Sequence, residues 1–378
     1  MIEKEYCTGC GACAMVCSMK AIQMKPDKDG FLYPDINQTM CVNCRKCDDA
    51  CPVSASSPVD TGPDQAWMAY ARNEGLRHSS SSGGAFSLIA ETVLMQGGTV
   101  FGCTMSKDCY SAHHIAVETL EDLRKLRGSK YIQSNLDDTF RQAKDALDAG
   151  RWVLFSGTPC QIAGLKTFLG KKNYEKLLTV DMVCHGVPSP RVWENYIREI
   201  EGEYDQKVTQ VSFRDKTEGW VRFSLAIDMA NGKNYRANVT KDPYLRGFVG
   251  NLYLRKSCYR CAFKAGRYLS DITLADFWGI EKIYPNESDN KGISLIIIHT
   301  EKGDRCLELL REQAILKPIP LKDAVSSNPS YFKSVPPNPF RDRVLKQIET
   351  KGTRKTIEKY WGNSLISKIR RKILKLLG

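Results

Sequence analysis

Eight cysteines near the amino terminus repeat one spacing, and this repeat constrains the fold more than any other feature. Four cysteines follow the pattern C-x2-C-x2-C-x3-C, and the pattern recurs 34 residues later, where Pro52 closes it. This spacing is typical of bacterial two-cluster ferredoxins, in which three thiolates of one run and the fourth of the other hold each 4Fe–4S cube. The predicted ligands are Cys7, Cys10, Cys13 and Cys51 for one cluster, and Cys41, Cys44, Cys47 and Cys17 for the other.

Two other uses of these cysteines fit the spacing less well. Eight thiolates could hold two zinc ions, but three cysteines with two-residue gaps crowd the metal more than usual zinc-binding loops do. Disulfides need an oxidising compartment, and we expect no signal peptide before Cys7. Ser18 stands where a proline often follows the fourth cysteine, which is a small departure in the first run.

The length of the chain indicates that the ferredoxin module serves something larger. With 378 residues and 42% hydrophobic residues, the chain can form a sizeable core and more than one domain. Its longest apolar runs, such as residues 293–298, have the length of a strand rather than of a membrane span. We therefore expect a cytoplasmic protein, either free or peripheral to the inner face of the membrane.

The positive charge is concentrated at the carboxyl terminus. Residues 351–378 contain nine basic residues and one acidic residue, which accounts for +8 of the net charge of +12. The rest is only mildly basic, so we expect no nucleic-acid binding. Between residues 365 and 377 apolar side chains recur at helical spacing opposite basic ones. Such an amphipathic helix can contact an anionic membrane surface, pack on its own domain or bind a partner subunit.

The chain divides into three predicted parts: a two-cluster ferredoxin domain at 1–57, a larger domain at 65–330 and a basic tail at 331–378. In the larger domain helix-like and strand-like segments alternate, which indicates βαβ units and a partly parallel sheet. The predicted fold class is therefore α+β or α/β, a ferredoxin-like module followed by a mixed α/β domain. The predicted helices cover 84–96, 137–149, 161–169, 303–313 and 341–348, and the predicted strands 99–104, 152–155, 177–183, 208–213, 221–227 and 293–299.

Four of the seven remaining cysteines form a second candidate metal site. Cys160 and Cys184 each follow a predicted strand, and Cys258 and Cys261 form a C-x2-C pair. Ligand sites of α/β sheets gather at the carboxyl ends of strands, so these thiolates could hold a third 4Fe–4S cluster or a zinc ion. Cys160 and Cys184 could equally be small buried residues, a common fate of free cysteine.

Six short segments of the larger domain carry a further signal. They are residues 81–86, 128–134, 157–161, 184–186, 258–261 and 270–279. Together and in this order they resemble the family of coenzyme F-420 hydrogenase/dehydrogenase beta subunits, and the resemblance covers roughly residues 65–330. It implies a flavin-binding α/β domain with FAD and its own 4Fe–4S cluster, here on Cys160, Cys184, Cys258 and Cys261.

A glycine-rich helix start, a lysine and a strand-to-helix turn form the predicted FAD site. A diphosphate needs exposed backbone N–H groups, which the start of a helix at Ala85 could supply at its positive end. Lys130 could neutralise phosphate or hold the electron-rich edge of the flavin ring. Serine and glycine before a helix could also be ordinary caps, and Lys130 could be a solvated charge. The predicted FAD-binding residues are Ser82, Gly83, Gly84, Lys130, Gly157, Thr158 and Pro159.

The predicted function is an oxidoreductase that uses FAD and iron–sulfur clusters. A flavin exchanges single electrons with clusters and two electrons with organic molecules, so it can link the two. His185 is the candidate proton donor, or a structural histidine that satisfies loop carbonyls. The expected partners are a small-molecule hydride donor or acceptor, which by the resemblance could be coenzyme F-420, and a redox protein such as ferredoxin or a partner subunit. The alternative is an electron-transfer subunit that relays electrons to a partner enzyme without chemistry of its own.

Overall fold

Two short helices and an antiparallel hairpin form the amino-terminal module. The computed structural model describes residues 2–54, 65–170, 172–264 and 267–363, so the boundary between the first two predicted domains lies outside the described residues. The hairpin pairs Ile22 with Ile36. The first cysteine loop, residues 7–13, leads into one helix, and the second cysteine loop, residues 41–47, leads into the other. The elements are α1 Ala12–Val16, β1 Ile22–Pro26, β2 Leu32–Ile36 and α2 Lys46–Asp49.

The two cysteine loops share one backbone conformation. Gly9 and Gly11 have φ angles of 72° and 75°, and Asn43 and Arg45, which occupy the equivalent positions of the second loop, have φ angles of 53° and 60°. Glycine adopts positive φ without a steric penalty, asparagine tolerates it, and arginine does so rarely. The repeat of the sequence is therefore also a repeat of the backbone.

A mixed sheet of nine strands forms the centre of the larger domain. Its strands are β3 Gln65–Ala71, β4 Thr99–Met105, β5 Ala112–Val117, β6 Ser134–Asn135, β7 Val153–Ser156, β8 Leu177–Met182, β12 Ile272–Asp276, β13 Ser294–Ile298 and β14 Ala314–Ile319. Their order is β14-β3-β13-β12-β8-β7-β4-β5-β6, and the four neighbours β12, β8, β7 and β4 run parallel. A separate antiparallel sheet contains β9 Val208–Asp215, β10 Ser224–Met229 and β11 Asn234–Asn238.

Helices cover both faces of the nine-stranded sheet. On one face Ile89 packs with Leu154 and Val180, and on the other Phe140 and Ile162 pack with Phe155. Neighbouring strand residues point to opposite faces, which explains why Leu154 and Phe155 belong to different cores. The helices are α3 Glu74–His78, α4 Ala85–Met95, α5 Leu120–Leu123, α6 Thr139–Asp148, α7 Pro159–Leu169, α8 Pro190–Tyr204, α9 Pro243–Val249, α10 Ile280–Ile283, α11 Glu301–Leu309, α12 Leu321–Val325, α13 Arg341–Lys351 and α14 Thr353–Asn363.

The ferredoxin-like module packs directly on α6 and α7. Cys10 and Met15 share a core with Phe140 of α6. The hydroxyl of Thr167 in α7 donates to the carbonyl of Ala50 at 2.8 Å. These contacts place the first cysteine loop against the larger domain.

The predicted fold class is confirmed, and the predicted elements recur with shifts of a few residues. The helix predicted at 161–169 begins at Pro159, because Thr158 and Gln161 form a capping box. The strand predicted at 221–227 is Ser224–Met229, and the helix predicted at 303–313 is Glu301–Leu309. The 15-residue helix α8 was not predicted, although its buried residues recur at helical spacing: Val192, Trp193, Tyr196, Ile197 and Ile200.

The described part of the predicted tail is not a separate region. Val344 and Ile348 of α13 and Ile357 of α14 belong to the same hydrophobic core as Trp193 of α8. The predicted amphipathic helix at residues 365–377 lies outside the described residues. Within the part of the chain that the structure describes, no helix has the length and apolarity needed to cross a membrane.

Candidate metal centres and ligand cleft

The first group of thiols, the inner set, combines both cysteine loops. Burial raises the pKa of Cys13 to about 12, and the neighbouring thiols Cys10, Cys7 and Cys51 raise it further. Cys51 therefore lies with the first loop although it ends the second run. This is the grouping that the crossed ferredoxin pattern predicts. The inner set consists of Cys7, Cys10, Cys13 and Cys51.

The second group of thiols, the outer set, lies at the surface. One pocket of about 340 Å³ is lined by the four remaining cysteines of the module. Cys44 is exposed, and so are the large apolar side chains of Met19 and Val42, which line the same pocket. The outer set consists of Cys17, Cys41, Cys44 and Cys47.

The third set joins four cysteines that are far apart in the sequence. Cys160 lies in the first turn of α7, Cys184 follows β8, and Cys258 and Cys261 lie in and after the 3-10 helix Lys256–Arg260. Burial raises the pKa of Cys160, Cys184 and Cys258 to about 12 each, and in each case neighbouring thiols of the same set raise it further. The N–H of Val187 donates to Sγ of Cys258 at 3.3 Å, a contact of the kind that tunes cluster thiolates.

Zinc ions and iron–sulfur cubes need different arrangements of thiolates. Among residues 2–54, 65–170, 172–264 and 267–363, no three His, Cys, Asp or Glu side chains are arranged to hold one metal ion. The four ligands of a zinc ion surround one atom at about 2.3 Å, whereas the four cysteines of a cube bind separate iron atoms at its corners. The case for cubes in the inner and outer sets rests on the cysteine spacing of the module.

The inner set and the third set share helix α7. Cys160 lies in the first turn of this helix, and a Cβ added to Gly164 one turn later would lie 3.0 Å from Sγ of Cys10. Cys160 also helps to raise the pKa of Cys10, whose largest cause is burial. The first cysteine loop thus reaches the third set without an intervening layer.

A cleft of about 320 Å³ opens at the carboxyl ends of the parallel strands. The last residues of β7, β8 and β12, which are Ser156, Met182 and Asp276, all line it. This is the usual place of a ligand in an α/β sheet, and the volume lies at the lower end of the range of ligand pockets. Of the predicted FAD-binding residues, the cleft is lined by Ser82, Gly84, Lys130, Gly157 and Thr158.

The start of helix α4 forms one side of the cleft. Gly84 precedes the helix with a φ angle of 96°, and it has no side chain that could accept from the first N–H groups. Residues 84–87 line the cleft. Since the first four N–H groups of a helix lack partners within the helix, this end can bind an anion.

Two predicted FAD-binding residues have a structural role instead. The N–H of Gly83 donates to Oγ of Ser294 at 3.0 Å, and a Cβ at Gly83 would lie 2.3 Å from the carbonyl oxygen of Ala69. Gly83 is therefore needed for the close approach of β3 and does not line the cleft. Pro159 is buried at the first position of α7, where proline suits a helix start.

Lys130 lines the cleft, but the donors of its ammonium are engaged. Nζ donates to the carbonyl oxygens of Lys125, Leu126 and Arg127 at 3.2, 2.9 and 2.7 Å. Burial lowers the pKa of Lys130 to about 8. The ammonium group therefore caps the carboxyl end of the helical segment 120–126. All three of its N–H donors are engaged there, so none remains for the predicted contact with phosphate or flavin.

His185 lies in a different pocket. Its Nε2 is 2.8 Å from Oδ1 of Asn251, and its ring lies edge-on to Phe248. The pocket has a volume of about 250 Å³ and is lined by residues such as Trp361 of α14, away from the residues that line the cleft. The predicted role of His185 as proton donor thus lacks support from the geometry.

Two polar side chains of the cleft were not predicted. His114 is 3% exposed, its Nε2 lies 3.0 Å from the carbonyl oxygen of Ser156, and its Nδ1 has no partner among the described residues. Burial lowers the pKa of His114 to about 4, so the ring is neutral at pH 7 and Nδ1 is an acceptor.

Asp181 is the second of these residues. Its Oδ1 accepts from the hydroxyl of Thr273 at 2.5 Å, and its Oδ2 has no partner within the described part of the chain. Burial raises the pKa of Asp181 to about 7. A carboxyl group near the end of the mostly apolar strand β8 was a signal that the sequence offered, since aspartate is rarely buried without a reason.

A cluster of hydrogen-bonded and stacked side chains lines the cleft beside β12. Both terminal nitrogens of Arg214 donate to the carboxylate of Asp276 at 2.9 Å, and Nε1 of Trp220 donates to it at 2.9 Å. Trp278, which lines the cleft, stacks on Trp220 with 4.8 Å between ring centroids. The carboxylate of Asp276 is thus held by the protein, and Trp278 offers an aromatic surface.

Family models match most of the chain. Residues 66–140 match the amino-terminal model, and residues 150–324 the carboxyl-terminal model, of the coenzyme F420 hydrogenase/dehydrogenase beta subunit. The chain belongs to this family. Residues 6–55 match a 4Fe-4S dicluster domain, so this F420 hydrogenase/dehydrogenase homologue carries an iron–sulfur domain in front of the family domain. The predicted family is confirmed.

The chain is similar to two proteins by sequence and to one solved structure by fold. It is 23% identical over 330 residues to an F(420)H(2) dehydrogenase subunit of Methanosarcina mazei, and the alignment covers 83% of this chain and 84% of that one. It is 24% identical over 174 residues to the coenzyme F420-dependent sulfite reductase of Methanocaldococcus jannaschii, 44% of this chain but only 26% of the reductase. A chain of the F420-reducing [NiFe] hydrogenase complex from Methanosarcina barkeri aligns with a TM-score of 0.47 at 17% identity, covering 79% of this chain and 93% of that chain.

Proposed function

We propose that the protein is an iron–sulfur flavoprotein oxidoreductase that passes electrons between an organic substrate at the cleft and a redox partner at the outer set. One observation carries the proposal. Thr158 lines the cleft and its Oγ1 lies 3.2 Å from Sγ of Cys160, and the helix that begins there contacts Cys10 of the inner set. The cleft, the third set and the inner set therefore lie next to one another, and helix α1, which contains Cys13 of the inner set, ends at Cys17 of the outer set.

FAD is the proposed occupant of the cleft. When bound, it supplies two-electron chemistry with the substrate and one-electron exchange with clusters. The start of α4 at Gly84 would hold its phosphates, because uncapped N–H groups attract anions. Nδ1 of His114 would accept a hydrogen bond from an N–H or O–H group of the ligand, since no described residue satisfies this buried nitrogen.

Asp181 is the proposed proton-holding group of the cleft. With its pKa raised to about 7 by burial, its carboxyl group can hold or release a proton near neutral pH. The hydroxyl of Thr273 donates to Asp181 and lies 2.8 Å from Nε2 of His299, which provides a hydrogen-bonded path away from the cleft. Removal of the carboxyl group by Asp181→Asn would therefore alter the pH profile of turnover more than the binding of the cofactor.

The organic substrate and the partner are proposed from the relatives. Their names carry coenzyme F420, which makes this deazaflavin the first substrate to test, and ferredoxin-driven reduction of another substrate is the second. The exposed outer set, with Cys44 at the surface, is the proposed contact point for a ferredoxin or a partner subunit.

The test is the iron, sulfide and flavin content of the full chain purified without oxygen. We expect about 12 iron atoms and about one FAD per chain. Cys160→Ser should lower the iron content by about four atoms, because the third set loses a ligand. Cys306→Ser, which changes a buried cysteine of α11 outside the three sets, is the matched control and should leave the content unchanged. About 8 iron atoms without flavin would overturn the proposal.

A second candidate function is an electron-transfer subunit without chemistry of its own. The observation that favours it concerns two of the predicted flavin contacts. Lys130 and Gly83 already donate hydrogen bonds to other groups of the protein. In that case reduced coenzyme F420 would not be oxidised by the isolated chain, even with all clusters present. Mixing reduced F420 with the oxidised protein distinguishes the two functions, because the absorbance and fluorescence of oxidised F420 appear only if the chain accepts its electrons.

A further inference from the structure

Arg255 lies between the inner set and the third set. It is 0% exposed, and its segment is anchored beside the third set: its carbonyl oxygen accepts from the N–H of Cys258 at 3.0 Å, and its own N–H donates to Val187 at 2.9 Å. A fully buried arginine at such a place needs a physical reason, because the burial of a charge costs free energy.

The side chain of Arg255 reaches across to the first cysteine loop. Nε donates to the carbonyl oxygen of Cys7 at 2.7 Å, and Nη2 lies 3.6 Å from Sγ of the same residue. Nη2 also donates to the carbonyl oxygen of Leu32 at 2.9 Å, and Nη1 lies 3.3 Å from Oε1 of Gln133. The guanidinium carbon lies 4.0 Å from the ring centroid of Tyr33. The bonded oxygen atoms belong to carbonyl and amide groups, so these contacts leave the positive charge of Arg255 uncompensated.

The thiolates that would hold a cluster in each set are the negative groups that can balance this charge. Arg255 is bonded to Cys7 of the inner set, and its charge acts to lower the pKa of Cys160 and Cys258 in the third set against the larger effect of burial. A cluster with four thiolates becomes more negative when it is reduced. Net charge and hydrogen bonds to sulfur are among the factors that set its potential.

We propose that Arg255 is a positioning residue that raises the reduction potentials of the inner and third clusters together and leaves the outer cluster unchanged. This inference rests on the proposed clusters. Both potentials rise because one buried positive charge stabilises the reduced form of each neighbour. Electrons are thereby held between the cleft and the surface, and the first cysteine loop is held at the third set.

The first loop is shaped to admit this side chain. A Cβ at Gly9 would lie 2.9 Å from Nη1 of Arg255 and 2.6 Å from Nε2 of Gln133. The equivalent position of the second loop, Asn43, carries a side chain and is exposed. Only the inner set is therefore built to take a guanidinium at its sulfur.

The test compares cluster potentials at constant iron content in the full chain. Arg255→Gln removes the charge, Arg255→Lys keeps it, and Arg260→Gln removes an exposed arginine of the same segment as a control. Iron content is measured first, and potentials follow from redox titration monitored by electron paramagnetic resonance. For Arg255→Gln we expect two of the three clusters to become harder to reduce by about tenfold, equivalent to about 59 mV for one electron.

The controls separate charge from structure. Arg255→Lys should change both potentials less than Arg255→Gln does, and Arg260→Gln should change none. If Arg255→Gln loses iron, the inference is tested with Gln133→Glu instead. This variant places a carboxylate beside an intact Arg255, so it should lower the same two potentials. Unchanged potentials in a variant that keeps its iron overturn the inference. If the unaltered protein already contains the iron of only two clusters, the proposed function is contradicted instead. The effect of Arg255→Gln on the potential of the inner cluster can still be measured in that case.

Discussion

The two cysteine loops share a spacing and a backbone conformation, yet they have different surroundings. The first loop is packed on the larger domain, where Cys10 is 8% exposed and Met15 is 6% exposed. The second loop is at the surface, where Val42 is 61% exposed. Spacing decides which cysteines can share a cluster, whereas tertiary packing decides which cluster is enclosed. The enclosed one suits a relay to the third set, and the open one suits exchange with a partner.

The same comparison explains the residues at the left-handed positions. Both loops need positive φ there, but only the first also needs the absence of a side chain, because Gly9 is pressed against Gln133 and Arg255. In the second loop Asn43 meets only the first requirement. Glycine in the first loop is thus a consequence of packing as well as of backbone geometry.

The largest effect is expected from an exchange of these two residues. Gly9→Asn keeps a residue that tolerates positive φ but inserts a side chain against Arg255, so the inner set should be displaced and about four iron atoms per chain lost. Asn43→Gly, the reciprocal change, should retain all iron. The measurement is iron and sulfide content after anaerobic purification. If both variants keep their iron, the difference between the loops has no consequence for cluster assembly.

A smaller effect is expected in the rate at which a chelator removes iron. The outer set is open to solvent at Cys44, whereas the inner set includes the buried Cys10, so the outer cluster should be stripped several times faster. The measurement is the time course of iron loss together with paramagnetic resonance spectra of the remaining clusters. Full unfolding in guanidinium is the control, because the two rates should then become equal. Equal rates in the folded protein would show that burial does not protect the inner set.

The smallest effect is expected on stability, from a methyl group placed against the inner set. Gly164→Ala puts a Cβ 3.0 Å from Sγ of Cys10, and such overpacking should cost about 1–3 kcal/mol. Gly202→Ala is the matched control in helix α8, where nothing lies within 4 Å of the added carbon, and it should stabilise by about 0.5–1 kcal/mol. Thermal or denaturant unfolding of the two variants measures the difference. A stabilised Gly164→Ala would mean that α7 and the first loop are less tightly packed than the structure indicates.

Sequence reasoning predicted best what depends on short range. The spacing of the cysteines groups Cys51 with the first loop and Cys17 with the second, because local turns fix how three thiolates face one cluster. Six elements between residues 84 and 183 follow from their periodicity, namely α4, β4, α6, β7, α7 and β8, whereas β5, α5 and β6 in the same range were not predicted. The position of the cleft at the carboxyl ends of β7 and β8 follows from the same pattern. The starts and ends shifted where a cap, such as Thr158, decided them.

The functions of single side chains were predicted less well. His185 and Lys130 were chosen for their chemistry and their neighbours in sequence, but the structure engages Lys130 with carbonyl groups and places His185 in another pocket. His114 and Asp181 were not chosen, although both line the cleft with an unpartnered polar atom among the described residues. Apart from the carboxyl group of Asp181 in a mostly apolar strand, nothing local distinguishes these residues, since their burial and their partners come from strands distant in the chain.

By itself, the sequence determined the kind of protein: the cysteine spacing predicts the ferredoxin-like clusters, and six ordered segments indicate the family. Only the tertiary structure decided which loop is enclosed, why Gly9 is glycine, and that Arg255, 248 residues from Cys7, lies at its sulfur. The physical reason is the range of the interactions. Spacing and periodicity act over a few residues, whereas burial, and with it the pKa of a carboxyl group or the effect of a charge on a thiolate, depends on every element that packs around the site.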